Sequence, residues 1–315
     1  MTQHTAWTGL LVAAALAGVA VRGESTAAYL ERPGNDQLTF KATSEAVTFD
    51  VSVKRGNTPV VGLESDDFRV TDKGVLQAIE SVSIESVPLD VTVFHDTSGS
   101  LGGRIDELRQ DIAAIHRMLR ADDRLRVLAV GNQRVVDVFG WSGASDDLDL
   151  RRIVEGRLSP INDALVVALL HRPAVGRRHV VVALTDLLDN GGTLDARQVE
   201  EVARRSESLL HVIAVPASRA QGASRPLWAP TGFEGQAALS ILRGVAKMTG
   251  GEVHERLVSA PNPVDEFGKI LSDFRASYVL RYIPTGVKVP GWHEIRVQVP
   301  SIPRATIQAR RGYYR

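Results

Sequence analysis

Cysteine is absent from this chain of 315 residues. Its absence excludes disulfide bonds, thiol catalysis and a lipid-carrying cysteine behind a leader segment, although it does not fix the compartment. An excess of one charge is lacking as well, since 37 lysine and arginine residues balance 37 aspartate and glutamate residues. Nucleic-acid-binding proteins normally carry a basic excess, so we expect no nucleic-acid partner.

Several enzyme motifs are also missing. No G-x-G-x-x-G turn follows the first strand of the predicted α/β region, and the run from Gly99 to Gly103 lacks the lysine of a P-loop. Neither a G-x-S-x-G elbow nor an H-E-x-x-H helix occurs. An enzyme on a Rossmann-like sheet is the less favoured alternative, with His95 as a general base beside Ser98. The sequence therefore predicts a protein that is not an enzyme.

The N-terminus begins with a short apolar run, Trp7 to Val21. A membrane span needs about 20 residues, so the run better fits a secretory signal with Gly18-Val19-Ala20 as its cleavage site. We predict a signal peptide or an uncleaved anchor over residues 1–23 and a linker over 24–45. We therefore expect an exported protein (periplasmic, extracellular or on the cell surface), with membrane contact only through an uncleaved N-terminal segment.

Two kinds of pattern divide the rest of the chain. Residues 46–88 and 277–315 contain short alternating runs between turn residues, which is typical of β-strands. Residues 89–276 alternate between apolar strands and amphipathic helices, and include a predicted edge strand at 135–139 and a short helix at 146–154. The predicted fold class is α/β, a Rossmann-like, mostly parallel sheet with helices on both faces. It is inserted into a small β-sandwich domain formed by the N- and C-terminal strands, because termini that meet in space tolerate such insertions.

A polar turn follows the first buried strand of the α/β region. The strand, Leu89 to His95, runs directly into Asp96-Thr97-Ser98-Gly99-Ser100. Asp96, Ser98 and Ser100 alternate, so an extended turn lets their side chains converge. A carboxylate and two hydroxyls are hard oxygen ligands of the kind that Mg²⁺, Mn²⁺ or Ca²⁺ takes. The alternative is a simple turn with a helix cap, but the strand before it and the helix after it favour the metal.

A second aspartate is expected at the same edge of the sheet. Asp186 follows an apolar run, His179 to Thr185, that predicts a central strand. Open α/β sheets bind ligands beyond the carboxyl ends of their strands, where the strand order reverses. Two aspartates that end adjacent parallel strands lie on one edge, so Asp186 joins Asp96 as a candidate ligand. The alternative is that Asp186 is a turn residue.

The D-x-S-x-S pattern that begins at Asp96 resembles the metal-ion-dependent adhesion site of the von Willebrand factor A-type (VWA) domain. That family also takes a hydroxyl from a loop that leads into a helix, usually a threonine four residues before Asp-Ala. Ser159 stands in that position, before Asp163-Ala164. The resemblance implies one metal site of five residues, which are Asp96, Ser98, Ser100, Ser159 and Asp186.

The resemblance also implies a function. The first three residues of the site bind Mg²⁺ (or Mn²⁺ or Ca²⁺) directly, and Ser159 and Asp186 bind it directly or through water. Because two carboxylates leave no large negative excess over a divalent ion, an acidic residue of a partner protein can complete the shell. We therefore expect a metal-dependent adhesion or interaction module that is sensitive to chelators. The alternative is a structural VWA-like domain that has lost metal binding.

Short stretches on both sides of the α/β region resemble the bacterial VWFA-related family best known from Acidobacteria. They are Gly62-Leu-Glu-Ser-Asp-Asp-Phe68, Asp72-Lys-Gly74, Val87-Pro88, Tyr278-Val-Leu-Arg-Tyr282 and Arg311-Gly-Tyr-Tyr314. The resemblance extends over about residues 45–315.

Three positions depart from the family pattern, and the first is His95, which precedes the D-x-S-x-S pattern where a small or apolar residue is more usual. Leu187 follows Asp186 where the family has glycine, and a leucine predicts an ordinary backbone conformation that would shift Asp186. Ser159 replaces the usual threonine, which keeps the oxygen but loses the methyl group that restricts the rotamer. Ser159 has a second interpretation as the N-cap of a helix that begins with Pro160.

Overall fold

A computed structural model describes most of the chain beyond its N-terminal segment. The described residues are 46–84, 86–98, 105–187, 189–214, 233–255 and 262–315, with the backbone alone for 233–236. The predicted signal peptide or anchor, the predicted linker up to residue 45 and the candidate ligand Ser100 lie outside these ranges. Within them, no helix combines the length and the apolar character that crossing a membrane requires.

The described ranges contain sixteen strands and five helices. The strands are β1 (Val47–Arg55), β2 (Thr58–Pro59), β3 (Arg69–Asp72), β4 (Val75–Gln77), β5 (Ile79–Ser83), β6 (Leu89–Asp96), β7 (Arg124–Gly131), β8 (Arg134–Asp137), β9 (Ser142–Gly143), β10 (Arg178–Thr185), β11 (Leu209–Ala214), β12 (Val253–Glu255), β13 (Tyr278–Tyr282), β14 (Trp292–Gln298), β15 (Thr306–Ala309) and β16 (Gly312–Tyr314). The helices are α1 (Ile105–Arg117), α2 (Ile161–Leu169), α3 (Ala196–Arg205), α4 (Phe233–Thr249) and α5 (Pro263–Arg275).

A mostly parallel sheet forms the centre of the α/β region. Its strand order is β12-β11-β10-β6-β7-β8, and β8 and the short β9 run antiparallel to β7. Every residue of β6 and β10 is buried, as expected for central strands that have helices on both faces. The chain leaves β6 toward β7 and β8 on one side and returns through β10 to β11 and β12 on the other. The strand order therefore reverses between β6 and β10.

The helices cover both faces of this sheet. Helices α1 and α5 pack on one face, where Ile112 and Phe267 belong to the same apolar cluster as Val93. Helices α2, α3 and α4 pack on the other face, where Leu165 lies in the same cluster as Val181. The predicted α/β, Rossmann-like class is confirmed.

The strands at the two ends of the described chain form a β-sandwich. One sheet has the order β15-β1-β13-β5, with β2 beside β1, and the other has the order β16-β14-β3-β4. Strand β1 lies between β13 and β15, and β3 pairs with β14. Side chains from both sheets, such as Val51, Leu280, Val70 and Ile295, share one buried cluster. N-terminal and C-terminal strands thus build one domain, and the α/β region is inserted between β5 and β13.

Two ion pairs connect the sandwich to the α/β region. Arg178, at the start of β10, pairs with Asp50 of β1, and its Nη2 donates to the carbonyl oxygen of Phe274 at the end of α5, 2.9 Å away. Lys54 of β1 pairs with Asp273 of α5 at 2.5 Å. The sandwich is therefore fastened to the side of the sheet that carries α5.

The helix predicted over residues 146–154 is wrong. The segment contains a single 3-10 turn, Leu150–Arg152. A segment this short gains too few hydrogen bonds to offset helix nucleation, and its polar groups find other partners. The Asp146 carboxylate accepts a hydrogen bond from the Gly143 amide, and the carbonyl oxygen of Ile153 accepts from the Arg109 guanidinium at 2.8 Å.

Candidate functional site

The candidate site lies where the strand order reverses. Strand β6 ends at Asp96, and Leu184 of β10 pairs with His95, so Thr185 at the end of β10 lies level with Asp96. Both strand ends therefore meet at one edge of the sheet, the position at which ligands bind in open α/β folds. We call this edge the rim and define it by Asp96, Ser98, Ser159, Thr185 and Asp186.

The Asp96 carboxylate is the centre of the hydrogen bonds at the rim. Its Oδ1 accepts from the Ser159 hydroxyl at 2.6 Å and from the Ser98 amide at 2.9 Å. Its Oδ2 accepts from the Thr185 hydroxyl at 3.2 Å. Asp96 and Ser159 are both 0% exposed. In the part of the chain that the structure describes, no lysine, arginine or histidine side chain forms an ion pair with Asp96, so its partners there are neutral.

Ser159 reaches this carboxylate instead of capping the next helix. Helix α2 has Pro160 at its N-cap position, without a side-chain capping bond. The Ser159 hydroxyl donates to Asp96, 63 residues earlier in the chain. The interpretation of Ser159 as an N-cap is therefore wrong, because Pro160 occupies the cap position and leaves the serine side chain to face the rim.

The Ser159 loop is braced by residues that sequence reasoning missed. The Asn190 side chain accepts from the Ser159 amide at 2.7 Å, and the Asn190 amide donates to the Ser159 carbonyl oxygen at 3.1 Å. The Asp189 carboxylate accepts from the Ile161 amide at 2.8 Å, and burial raises its pKa. The pair Asp189-Asn190 has the composition of a turn. Its hydrogen bonds to Ser159 and Ile161 could not be predicted from the sequence, because these residues lie about thirty positions away.

The turn after β6 is held in place by its neighbours. The amide and the hydroxyl of Thr97 donate to the carbonyl oxygen of Val130 at 2.8 and 3.1 Å, and the Gly156 amide donates to the Thr97 carbonyl oxygen at 2.8 Å. A Cβ atom on Gly131 would lie 2.6 Å from the Thr97 hydroxyl, so a glycine there permits the close approach. These contacts fix the backbone that carries Ser98, which is 3% exposed.

Leu187 corrects an expectation from the sequence. The residue has a φ of 73°, in the left-handed region, although leucine predicted an ordinary backbone. Its amide donates to the Thr185 hydroxyl at 3.0 Å, and its side chain is 6% exposed within the apolar cluster of α2, α3 and α4. Burial and this hydrogen bond offset a conformational cost of about 1–2 kcal/mol. The loop thus keeps the backbone conformation that glycine usually provides.

The remaining sequence candidates divide into three cases. Asp186 follows β10 directly and is 6% exposed. His95 is 5% exposed, and its Nδ1 bonds the carbonyl oxygen of Asp96 at 2.8 Å, which agrees with a packed histidine rather than a general base for Ser98. Ser100 lies outside the described residues. Thr185 is a rim residue that the sequence analysis did not select, although a hydroxyl at the end of an apolar strand was a visible signal.

The oxygen atoms of the rim are of the type that a hard divalent cation takes, and their spacing as hydrogen-bonded groups is compatible with one. Ligands of Mg²⁺ lie 2.0–2.1 Å from the ion, so neighbouring ligand oxygens are about 3 Å apart. The Ser159 hydroxyl lies 2.6 Å and the Thr185 hydroxyl 3.2 Å from an Asp96 oxygen. Carboxylate and hydroxyl groups are also the ligand types that Mg²⁺, Mn²⁺ and Ca²⁺ prefer.

Comparison with known proteins gives likeness of structure only. No family model and no curated protein matches the chain. Among solved structures, a von Willebrand factor type A protein from Catenulispora acidiphila has 11% identity and a TM-score of 0.45, covering 85% of this chain and 73% of that one. BatB from Bacteroides thetaiotaomicron has 12% identity and a TM-score of 0.40, covering 59% of this chain and 96% of that one. The pilus adhesin SpaC from Lactobacillus rhamnosus GG has 10% identity and a TM-score of 0.40, covering 84% of this chain and 48% of that one.

The α/β region has a Rossmann-like sheet with an antiparallel edge strand and a reversal of strand order between β6 and β10. This arrangement agrees with the VWA-like fold that the sequence predicts, and the alignments are too distant to carry an argument about function.

Proposed function

We propose that this protein binds partner proteins through a divalent cation, Mg²⁺ in the first place, held at the rim by Asp96, Ser98 and Ser159. Ser100 and Asp186 complete the proposed ligand set, and Mn²⁺ or Ca²⁺ are alternative ions. The observation that carries this proposal is the fully buried Asp96 carboxylate, whose partners among the described residues are hydroxyl and amide groups.

The chemistry of those partners supports a cation. An ionised carboxylate is costly to bury unless an opposite charge compensates it. A serine or threonine hydroxyl donates one hydrogen bond but also has two lone pairs. The hydroxyls of Ser159 and Thr185 can therefore serve Asp96 as donors and, after rotation, offer oxygen to a cation that Asp96 holds.

The proposed partner presents an acidic side chain. Two carboxylates, those of Asp96 and Asp186, balance the charge of one divalent ion, so a further carboxylate from outside can bind without strong repulsion. Mg²⁺ keeps several water ligands, and a partner oxygen can replace one of them. The protein would then act as a non-enzymatic interaction module, and the apolar N-terminal run makes export the matching location.

Calorimetric titration tests the metal site. The wild-type protein is titrated with Mg²⁺ and with Mn²⁺ beside Asp96→Ala, Ser159→Ala and the control Asp147→Ala, which removes an exposed carboxylate of the same region. We expect binding by the wild type and the control, weaker binding by Ser159→Ala and none by Asp96→Ala. Equal binding by Asp96→Ala would reject the site. Absence of binding by every protein would favour the alternative, a structural VWA-like domain.

Peptide selection tests the bridge to a partner. Random peptides are selected on the immobilised protein in the presence of Mg²⁺ and eluted with a chelator. We expect enrichment of peptides that contain aspartate or glutamate, and loss of that enrichment on Asp96→Ala. Acidic peptides that stay bound in the chelator would show that no metal bridges the contact.

A further inference from the structure

A second group of side chains of metal-ligating type lies away from the rim, on β11 and at the edge strand β12 of the same sheet. His211 comes from β11, three residues before the end of that strand, whereas Glu252 and His254 come from the neighbouring β12 and the residue just before it. The strands run parallel, with Ile213 paired to His254. One candidate ligand atom from each of the three residues lies within 4.8 Å of the others.

The distances are close to those of a tetrahedral site. The Nδ1 of His211 lies 2.9 Å from the Nε2 of His254, which lies 3.8 Å from a Glu252 carboxylate oxygen. In a zinc site with ligands at 2.0–2.1 Å, neighbouring ligand atoms are about 3.3 Å apart. The observed distances fall on both sides of that value, so rotations of the side chains suffice to accommodate the ion.

A fourth residue orients the histidine. The Nδ1 of His254 lies 2.9 Å from the Glu266 carboxylate of α5. This carboxylate accepts a hydrogen bond from the Nδ1–H group, so the lone pair of Nε2 is directed at His211. Carboxylate–histidine pairs of this kind commonly stand behind metal-bound imidazoles. The His211 ring is 7% exposed, and imidazole binds metal in its neutral form.

We propose that His211, Glu252 and His254 form a second metal site, which takes Zn²⁺ or a similar transition-metal ion. Two imidazoles and one carboxylate favour such ions over Mg²⁺, which selects oxygen ligands. On binding, the proton shared between the two rings moves to the other nitrogen of His211 or to solvent.

The three residues supply three ligands, which leaves the fourth position of a tetrahedral ion for water or a ligand from outside. They line a cavity of about 640 Å³ between α5, the edge of the sheet and β1. Lys54 and Lys269 also line it, but each already pairs with a carboxylate, Asp273 and Glu266 respectively. We therefore infer that the fourth ligand is water.

Zinc titration of the full chain tests this site. The variants are His254→Gln, Glu252→Gln and Glu266→Gln. The matched histidine control is His116→Gln, which alters a partly buried ring bonded to the Gly143 carbonyl oxygen. We expect one zinc ion per chain in the wild type and the control, and none at comparable affinity in His254→Gln. Glu266→Gln should bind zinc about 10–100-fold more weakly, which is the usual effect of replacing a residue that hydrogen-bonds to a metal ligand.

Two measurements distinguish loss of this zinc site from misfolding and from zinc binding at the rim. Glu252 is partly exposed, so Glu252→Gln should keep the wild-type circular dichroism while losing the visible absorption of bound Co²⁺. Asp96→Ala should leave zinc binding unchanged. The proposal is overturned if the wild type binds no zinc, or if folded Glu252→Gln and His254→Gln bind it as the wild type does.

Discussion

Strand β6 carries a fully buried aspartate near each of its ends, Asp90 and Asp96, and the two are satisfied in different ways. The Asp90 carboxylate pairs with Arg124 at 2.7 Å, with Arg177 at 2.6 Å and with the His171 ring at 2.9 Å. Burial by itself would raise the pKa of Asp90, but these three partners together hold it far below its usual range. At this end the protein supplies its own cations.

Asp96 receives hydroxyl and amide hydrogen bonds instead, and no ion pair within the described ranges. The two ends of one strand therefore show two ways to accommodate a buried carboxylate. The permanently charged guanidinium groups neutralise Asp90 within the protein. The hydroxyl groups around Asp96 carry no charge, so a cation from solution can still neutralise that carboxylate. This difference is the physical basis of the proposed metal site, and four predictions test it or refine the description of the rim.

The largest expected effect comes from breaking the buried ion pairs of Asp90. Asp90→Asn removes the charge that pairs with Arg124 and Arg177, and loss of one member of a buried ion pair costs about 3 kcal/mol of unfolding free energy. Urea unfolding measures this loss. Glu80→Gln, which breaks the exposed pair with Arg281, should change the unfolding free energy by less than about 1 kcal/mol. Equal effects of the two variants would contradict the structural role.

The same aspartate predicts a pH dependence. Because the folded state holds the pKa of Asp90 below the ordinary aspartate value of 3.8, the contribution of this carboxylate to stability is complete well above pH 3.8. It is lost progressively as the pH falls below about 4 toward the folded pKa, since the unfolded chain then binds the proton more readily. The acid limb of the stability curve should therefore be shallower for Asp90→Asn than for the wild type.

The next effect concerns Asp96 and depends on the ion. A ligand at one hundred times its dissociation constant stabilises the folded state by about 2.7 kcal/mol, so saturating Mg²⁺ should raise the unfolding free energy of the wild type by about that amount. Asp96→Asn should show no such gain, and Asp90→Asn should retain it. If Mg²⁺ protected both variants equally, the distinction between the two ends of β6 would fail.

The smallest expected effect concerns the left-handed backbone conformation of Leu187 beside the rim. Leu187→Ala and Leu187→Gly both lose buried packing, at a cost of about 2–5 kcal/mol, but glycine alone relieves the left-handed conformation. We therefore expect the glycine variant to be about 1 kcal/mol more stable than the alanine variant. At Leu128, a buried residue within β7, the order should be reversed. Urea unfolding of the four variants decides the point.

Much of the fold was predictable from local patterns. The change from short alternating runs to alternating strands and helices at residue 89 was visible because each pattern reports which faces of an element are buried. The position of Asp96 and Ser98 at a strand end was also predictable, since the apolar strand before them and the helix after them were visible in the sequence. The helix predicted at 146–154 failed because its polar groups bond to distant partners such as Arg109, which no local pattern reveals.

The candidate site was predictable only in outline. The position of Ser159 followed from the resemblance to the VWA motif, but the resemblance did not decide between a helix cap and a rim residue. The contacts of Asp189 and Asn190 with the Ser159 loop were not visible either. Leu187 was misjudged because propensity describes an isolated residue, whereas burial of its side chain and the Thr185 hydroxyl offset the unfavourable φ.

The sequence by itself determined the class of fold, the strand ends at which the candidate ligand residues lie and the oxygen-bearing residue types of the rim. It also contains Glu252 and His254 two residues apart, a spacing that places both on one face of a strand. Only the tertiary structure decided that His211 joins them, because the parallel pairing of β11 and β12 brings together residues about forty positions apart. Likewise, only the assembled sheet decided that arginines reach Asp90 and hydroxyls reach Asp96. Pairing and burial act between distant residues, so local sequence cannot express them.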